Sequence, residues 1–160
     1  MSSHTYLAPA EWYASLPTTY VSACALLTDP QDRVLIVKPN YRPYWAIPGG
    51  IVEQGERPEQ CAARECSEEL GLVLTLGELL VVDWAPPLGD RPRVMVNFLF
   101  DGGVVADPAA IRLQRDELDE YAFLPRQQAA DRLPGSTAPR IAAALQARKE
   151  QRAIYLPATA

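Results

Sequence analysis

The sequence predicts an α/β fold, a mixed β-sheet with helices on both faces, and three observations carry that expectation. Apolar, β-prone segments alternate along the chain with segments whose apolar residues recur at helical spacing. Proline, glycine and aspartate punctuate them at turn-like positions, as in Asp29-Pro30-Gln31-Asp32, Gly102-Gly103 and Ala106-Asp107-Pro108. The length of 160 residues, with 48% hydrophobic and 22% charged side chains, suits one domain over 1–160 with a sizeable core and argues against disorder.

Each element follows in order. Pro9 to Leu16 reads as a short amphipathic helix presenting Trp12 and Leu16, within an N-terminal segment (1–17) expected to cover one sheet edge. Thr18 to Leu27 and Arg33 to Lys38 are β-prone runs across a turn, hence a hairpin or meander. Asn40 to Tyr44 is a loop with two aromatics and a cation, and Trp45 opens a short apolar strand.

A helix follows from Pro58 to Leu70, with proline suited to its first turn and Gly71 to its stop. Val73 to Asp83 reads as a strand with Gly77 as a bulge, and Arg93 to Phe100 as a clear strand that Gly102-Gly103 break. Ile111 to Leu113 and Tyr121 to Leu124 read as short strands, then Pro125 to Leu133 and Thr137 to Arg152 as helices. The last of these belongs to a C-terminal helix and tail (136–160), with Ile141, Ala144, Leu145 and Arg148 on one stripe.

Composition excludes several function classes. A net charge of −5 and a pI near 4.9 speak against binding nucleic-acid polymers or anionic lipid. The N-terminus has neither a basic region nor an apolar signal core, and no apolar run is long enough to span a membrane, so a cytoplasmic protein is expected. Three cysteines, Cys24, Cys61 and Cys66, without metal-type spacing fit reduced thiols. The one histidine, His4, leaves no His-based triad or zinc site, so a base must be a carboxylate, a lysine or metal-bound hydroxide.

The chemistry concentrates between Gly49 and Leu72, where six glutamates face two arginines and hold most of the chain's net charge. Ala62, Ala63, Cys66 and Leu70 share one helix face, and Glu65, Glu68 and Glu69 crowd beside it. Like charges at this spacing cost a helix roughly 0.2–0.5 kcal/mol per pair, and anions in the last turn oppose its dipole. Two readings account for them: a solvated acidic face with an Arg64–Glu68 ion pair, or carboxylates that a hard divalent cation such as Mg²⁺ would turn from repulsion to coordination. Just upstream, Trp45-Ala46-Ile47-Pro48-Gly49-Gly50 places two permissive glycines where backbone can come close to a ligand.

From Gly50 through Glu56 to Arg64-Glu65-Cys66-Ser67-Glu68-Glu69-Leu70-Gly71-Leu72, the chain matches G-x5-E-x7-R-E-U-x-E-E-x-G-U at every fixed position, with Cys66 in an aliphatic place. This stretch resembles the Nudix box, and the preceding WAIPGG is similar to the lead-in of that family. The resemblance implies an α/β/α sandwich and hydrolysis of a nucleoside diphosphate linked to another group, with Mg²⁺ or Mn²⁺. It implies metal ligands at Glu65, Glu69 and Glu68, with the Gly50 carbonyl beside them. It also implies an ion pair in which Glu56 holds Arg64, so that Arg64 orients the helix carboxylates. An additional loop glutamate often serves as base, which points to Glu117, with Glu120 second.

The substrate side is more open. Lys38, Arg42, Tyr44, Trp84, Arg91 and Arg93 fall on loops or strand ends able to flank a nucleotide through stacking or phosphate contacts. A nucleotide sugar or ADP-ribose-like molecule and a nucleoside triphosphate both remain in play as the small-molecule partner. The family's habit also implies a homodimer. The alternative of a non-catalytic Nudix-fold binding or regulatory module stands beside the enzyme, although such modules commonly lose box carboxylates and this chain keeps them.

Overall fold

The computed structural model describes residues 6–157; His4 lies outside them. The strands are β1 (Tyr20–Thr28), β2 (Val34–Pro39), β3 (Gly49–Ile51), β4 (Leu79–Ala85), β5 (Met95–Val104), β6 (Leu118–Leu124) and β7 (Ile154–Pro157). The helices are α1 (Pro9–Ser15), α2 (Pro58–Leu70), α3 (Arg126–Arg132) and α4 (Pro139–Glu150). The sheet runs β6-β2-β1-β5-β4-β7, with β3 paired to β1 off that path. It is mixed: β1 is parallel to β5, and β4 to β7, while the remaining pairs are antiparallel.

Alternation sorts β1 between two layers, as the two-residue period of a strand requires. Ala23, Ala25 and Leu27 face α2, whose Cys61, Ala62, Cys66 and Leu70 pack onto them together with Leu35, Val37 and Leu118. Leu26 turns the other way, with Val34, Ile36, Val81 and Leu99, onto Ala129 of α3 and Ile141, Ala144 and Ala147 of α4. Both faces are covered, which is why these strands read as near-continuous apolar runs. The expected α/β/α sandwich is the fold observed.

One irregularity positions the site. β1 and β2 are in register only at Thr28 and Val34, then part. The lead-in segment fills the gap: Ala46 exchanges backbone hydrogen bonds with Val37 at 2.8 and 2.9 Å, and the Ala25 N–H donates to the Pro48 carbonyl at 3.0 Å. Gly49, Gly50 and Ile51 then pair with Cys24, Ala23 and Ser22. Ala46 therefore makes an isolated bridge, and the strand expected from Trp45 begins only at Gly49.

Elsewhere the structure corrects the sequence reading in five places. α1 forms as expected, but none of its residues is buried, so the covering role expected of 1–17 is not seen in it. Residues 73–78 form no strand, although the Gly77 N–H donates to the Asp101 carbonyl at 2.8 Å, and the register shift lies between Leu79 and Val81 rather than at Gly77. β5 runs through Gly102-Gly103 to Val104, because these glycines form a bulge and do not break the strand: the register shifts there, and a Cβ on Gly102 would sit 2.6 Å from Leu27.

Ile111 to Leu113 is no strand. It follows a short 3₁₀ turn, and backbone N–H groups of Arg112 and Gln114 cap the Leu70 and Glu69 carbonyls at 2.8 and 2.9 Å. Finally, the tail after α4 turns at Gln151 (φ 52°) and adds β7 beside β4. Among the described residues no helix is long and apolar enough to cross a membrane.

Candidate active site

α2 starts at Pro58 and ends on Gly71, whose left-handed φ of 67° and N–H to the Ser67 carbonyl close the last turn. Its buried stripe fixes the rotation of the helix, and that rotation sends Glu65 and Glu69 toward β3. The two glycines of β3 receive them in different ways. The Gly49 N–H donates to Glu69 Oε2 at 3.1 Å. A Cβ on Gly50 would collide with the Glu65 carboxylate, so only glycine lets that carboxylate lie against the strand. The Gly50 carbonyl itself accepts from the Cys61 thiol at 3.6 Å.

Arg64 binds the rest of the cluster. Its Nε and Nη2 fork onto Glu56 at 2.8 and 3.1 Å, and its Nη1 donates to Glu65 at 3.0 Å and Glu68 at 3.2 Å. The Arg64 hydrogen bonds hold the Glu56 carboxyl down at about 2, well below the usual range. Glu69 goes the opposite way. Only 9% exposed, it is pushed up to about 8 by burial, with the Gly49 N–H opposing and the Glu65 and Glu117 charges adding. Burial also raises Glu65, against Arg64.

Glu68 is half exposed and turned to Arg64, the ion pair of the simpler reading of this helix. Among the described residues no three His, Cys, Asp or Glu side chains converge as a metal-ligand set. Glu65 and Glu69 nevertheless fit a hard divalent cation: both are shielded carboxylates, Glu65 sharing one arginine with Glu56 and Glu68 and Glu69 held by a backbone N–H, and Mg²⁺ is held by one or two protein carboxylates, with water and phosphate oxygens completing its shell.

A cavity of about 570 Å³ opens beyond Gly49 and Gly50, on the α3/α4 side of the sheet. The two glycines thus border both the carboxylates and the cavity. Arg42 and Tyr44 line it, as the loop reading expected, and so does Arg91, which donates to the Pro86 carbonyl at 2.8 Å. The Arg42 guanidinium lies over the Tyr41 and Tyr44 rings, 4.9 and 5.7 Å from their centroids, and its buried Nε has no hydrogen-bond partner among the described residues.

Three candidates fall elsewhere. Lys38 spends its ammonium on the Pro39 and Arg42 carbonyls, both at 2.7 Å, and so clasps the loop. Trp84 is half exposed on β4, between Asp83 and Ala85, and is absent from the cavity lining. Arg93 lies over the Tyr20 ring at 5.9 Å, outside the cavity.

Glu117 is exposed, on the loop that Gln114 ties to the end of α2, and its carbonyl accepts from the Asn40 N–H at 2.9 Å. It is near enough for its charge to raise both Glu65 and Glu69. Glu120 is exposed on β6 opposite Lys38. Sequence reading passed over Ser22, Asp83, Asn97 and Arg140, which form a buried polar chain beside the cavity. The available signal was a single polar residue interrupting each apolar strand, Asp83 in LLVVDWA and Asn97 in MVNFLF.

A mixed sheet between helices, an acidic helix edge seated on two glycines and a cavity alongside define an α/β/α sandwich with a carboxylate cluster at the wall of its cavity. The chain belongs to the Nudix family, whose profile, described as NUDIX domain, matches residues 18–146. It is 39% identical over 121 residues to the uncharacterized Nudix hydrolase YvcI of Bacillus subtilis, covering 66% of this chain and 70% of that one. It is 33% identical over 79 residues to an ADP-ribose pyrophosphatase of Methanocaldococcus jannaschii, 47% of each chain. The crystal structure of MutT protein from Methanosarcina mazei Go1 superposes with a TM-score of 0.69 at 23% identity, over 84% of this chain and 99% of that one. The chain spans about half the length of most curated relatives it matches.

Proposed function

We propose that this protein hydrolyses a phosphoanhydride bond in a nucleoside diphosphate linked to another moiety, with Mg²⁺ or Mn²⁺ held by Glu65 and Glu69. The observation that carries the reading is the pairing of these two shielded carboxylates against Gly49 and Gly50, on the wall of a nucleotide-sized cavity. When bound, a divalent cation supplies neutralisation of the diphosphate and a more acidic attacking water.

The chain's own residues do the rest. Arg64, locked by Glu56, keeps Glu65 from swinging into solvent. The Gly49 N–H fixes one Glu69 oxygen and leaves the other for coordination. Glu117, exposed and within electrostatic reach of both, takes the proton of the attacking water. Arg42, held over two tyrosine rings at the cavity wall, meets the diphosphate.

Support for an ADP-ribose-like substrate comes from the name of the M. jannaschii relative, and triphosphates form the competing arm. The test is phosphate or mononucleotide release from nucleotide sugars, ADP-ribose, dinucleotides and triphosphates with Mg²⁺. Wild type is run beside Glu69→Gln and Glu117→Gln, with Glu120→Gln as the rival base. Turnover by wild type that collapses in Glu69→Gln supports the reading. Tight nucleotide binding without turnover on the whole panel would replace it with the non-catalytic module.

A further inference from the structure

The proposed hydrolysis leaves unused the polar chain across the sheet on the cavity side. Ser22 of β1, Asn97 of β5 and Asp83 of β4 are neighbours in register, with 7%, 5% and 4% of their surfaces exposed. The Ser22 hydroxyl donates to Asn97 Oδ1, and Asn97 Nδ2 donates to Asp83 Oδ2 at 3.3 Å. Arg140 of α4 closes on that same oxygen through Nε at 2.7 Å and Nη2 at 2.6 Å. Ser22, Asn97 and Arg140 line the cavity. A row of apolar residues would hold three central strands at least as well, because burying a polar chain gains little stability over well-packed hydrophobes.

Two properties say what such a floor recognises. Its charge is balanced: Asp83 offsets Arg140, so unlike Arg42 this guanidinium is a poor anchor for phosphate. Its polarity is fixed as well. A carboxylate only accepts, so Asp83 forces the Asn97 NH₂ group toward itself, which turns Oδ1 to Ser22 and commits the serine proton there. Toward the cavity Ser22 Oγ is then left as an acceptor. Arg140 Nη1, with no hydrogen bond among the described residues, remains a donor.

We propose that Ser22 and Arg140, oriented by Asn97 and Asp83, read the uncharged ring of the substrate, a nucleobase edge carrying a donor beside an acceptor. This rests on the hydrolase reading for what the ring is attached to. Asp83 and Asn97 are positioning residues; Ser22 and Arg140 touch the base.

The experiment is a titration of wild type, Ser22→Ala, Asp83→Asn and Arg140→Lys with the four common nucleoside 5′-monophosphates and, separately, inorganic pyrophosphate, without metal. Wild type is expected to favour one base by about tenfold or more, the yield of one well-placed hydrogen bond. Asp83→Asn, nearly isosteric, frees Asn97 to flip and Ser22 to donate, and is expected to level the preference to within about threefold. Ser22→Ala removes one oxygen and no charge, and does the same if Asp83→Asn fails to fold. Pyrophosphate affinity stays as in wild type throughout, and with Mg²⁺ and a hydrolysable nucleotide of the preferred base the penalty appears in KM more than in kcat.

A base preference untouched by these variants overturns the proposal. So does a wild type without preference, or parallel loss of pyrophosphate binding in Arg140→Lys, which would make Arg140 an anion clamp. Monophosphates offer no anhydride to cleave, so base discrimination among them beside no turnover of any nucleotide sugar, dinucleotide or triphosphate with Mg²⁺ would sink the hydrolase reading and leave the floor standing.

Discussion

Two charged clusters flank the Gly49–Gly50 wall, and they are built on opposite rules. On the α2 side Arg64 is shared among Glu56, Glu65 and Glu68, while among the described residues Glu69 makes no ion pair and is held by the Gly49 N–H. On the α4 side Arg140 and Asp83 pair one to one, and the Asn97 amide and Ser22 hydroxyl donors are committed within the chain. An anionic surplus is tolerable where a cation is recruited from solution. A balanced pair is what a site needs when its ligand brings no charge. If both proposals hold, charge accounting alone separates phosphate chemistry from ring recognition on this fold.

The largest expected effect breaks the balanced side. Arg140→Met strands the buried Asp83 carboxylate and is expected to cost about 3–5 kcal/mol in urea or thermal unfolding, the usual penalty for removing one partner of a buried pair. Removing both charges, Asp83→Asn with Arg140→Met, should restore most of that loss. A single variant as stable as wild type would show that Arg140 and Asp83 do not depend on each other.

Next comes the surplus side, where the outcome inverts. Glu69→Gln is expected to lower the Mg²⁺-dependent rate by about a hundredfold or more. It should leave unfolding of the metal-free protein unchanged or slightly harder, because it removes a carboxylate whose burial no ion pair among the described residues offsets. A smaller loss is expected from Gly50→Ala, whose Cβ displaces the Glu65 carboxylate: about tenfold in kcat/KM, with a rightward shift of the Mg²⁺ titration. If Gly50→Ala titrates as wild type does, Glu65 is not a ligand.

This contrast was only half legible in the sequence. The surplus side could be read because its residues are neighbours along one helix and one strand: spacing put Glu65, Glu68 and Glu69 on one helix edge, and the resemblance to the Nudix box set Gly50 beside them. The fold was readable for a similar reason: long two-sided apolar strands announce a covered sheet. The balanced side draws on β1, β4, β5 and α4, and no local pattern brings Ser22 to Arg140. Lys38 misled for the converse reason, since its strand-end position suggested a free ammonium and only the loop's path gives it two carbonyls. β7 was missed because four residues after a left-handed turn carry too little periodicity to stand out from a tail.

The smallest effect is the most discriminating, because it sets two carboxylates of the acidic cluster against each other by pH. Glu56 is held down at about 2 in the folded protein, below its ordinary 4.5, by Arg64. Its contribution to stability is therefore present above about pH 4.5 and lost as pH falls toward 2. Glu69, raised from 4.5 to about 8 by burial, binds its proton more tightly folded than unfolded, so stability falls as pH rises from 4.5 through 8. Melting curves of the metal-free protein should show Glu56→Gln losing its deficit only in acid, and Glu69→Gln gaining on wild type between pH 5 and 8. Mg²⁺ should reverse the second trend, stabilising wild type more at pH 8 than at pH 6, because only the ionised carboxylate coordinates. A wild type whose Mg²⁺ stabilisation is flat across that interval would separate Glu69 from the metal and leave its burial a feature of packing.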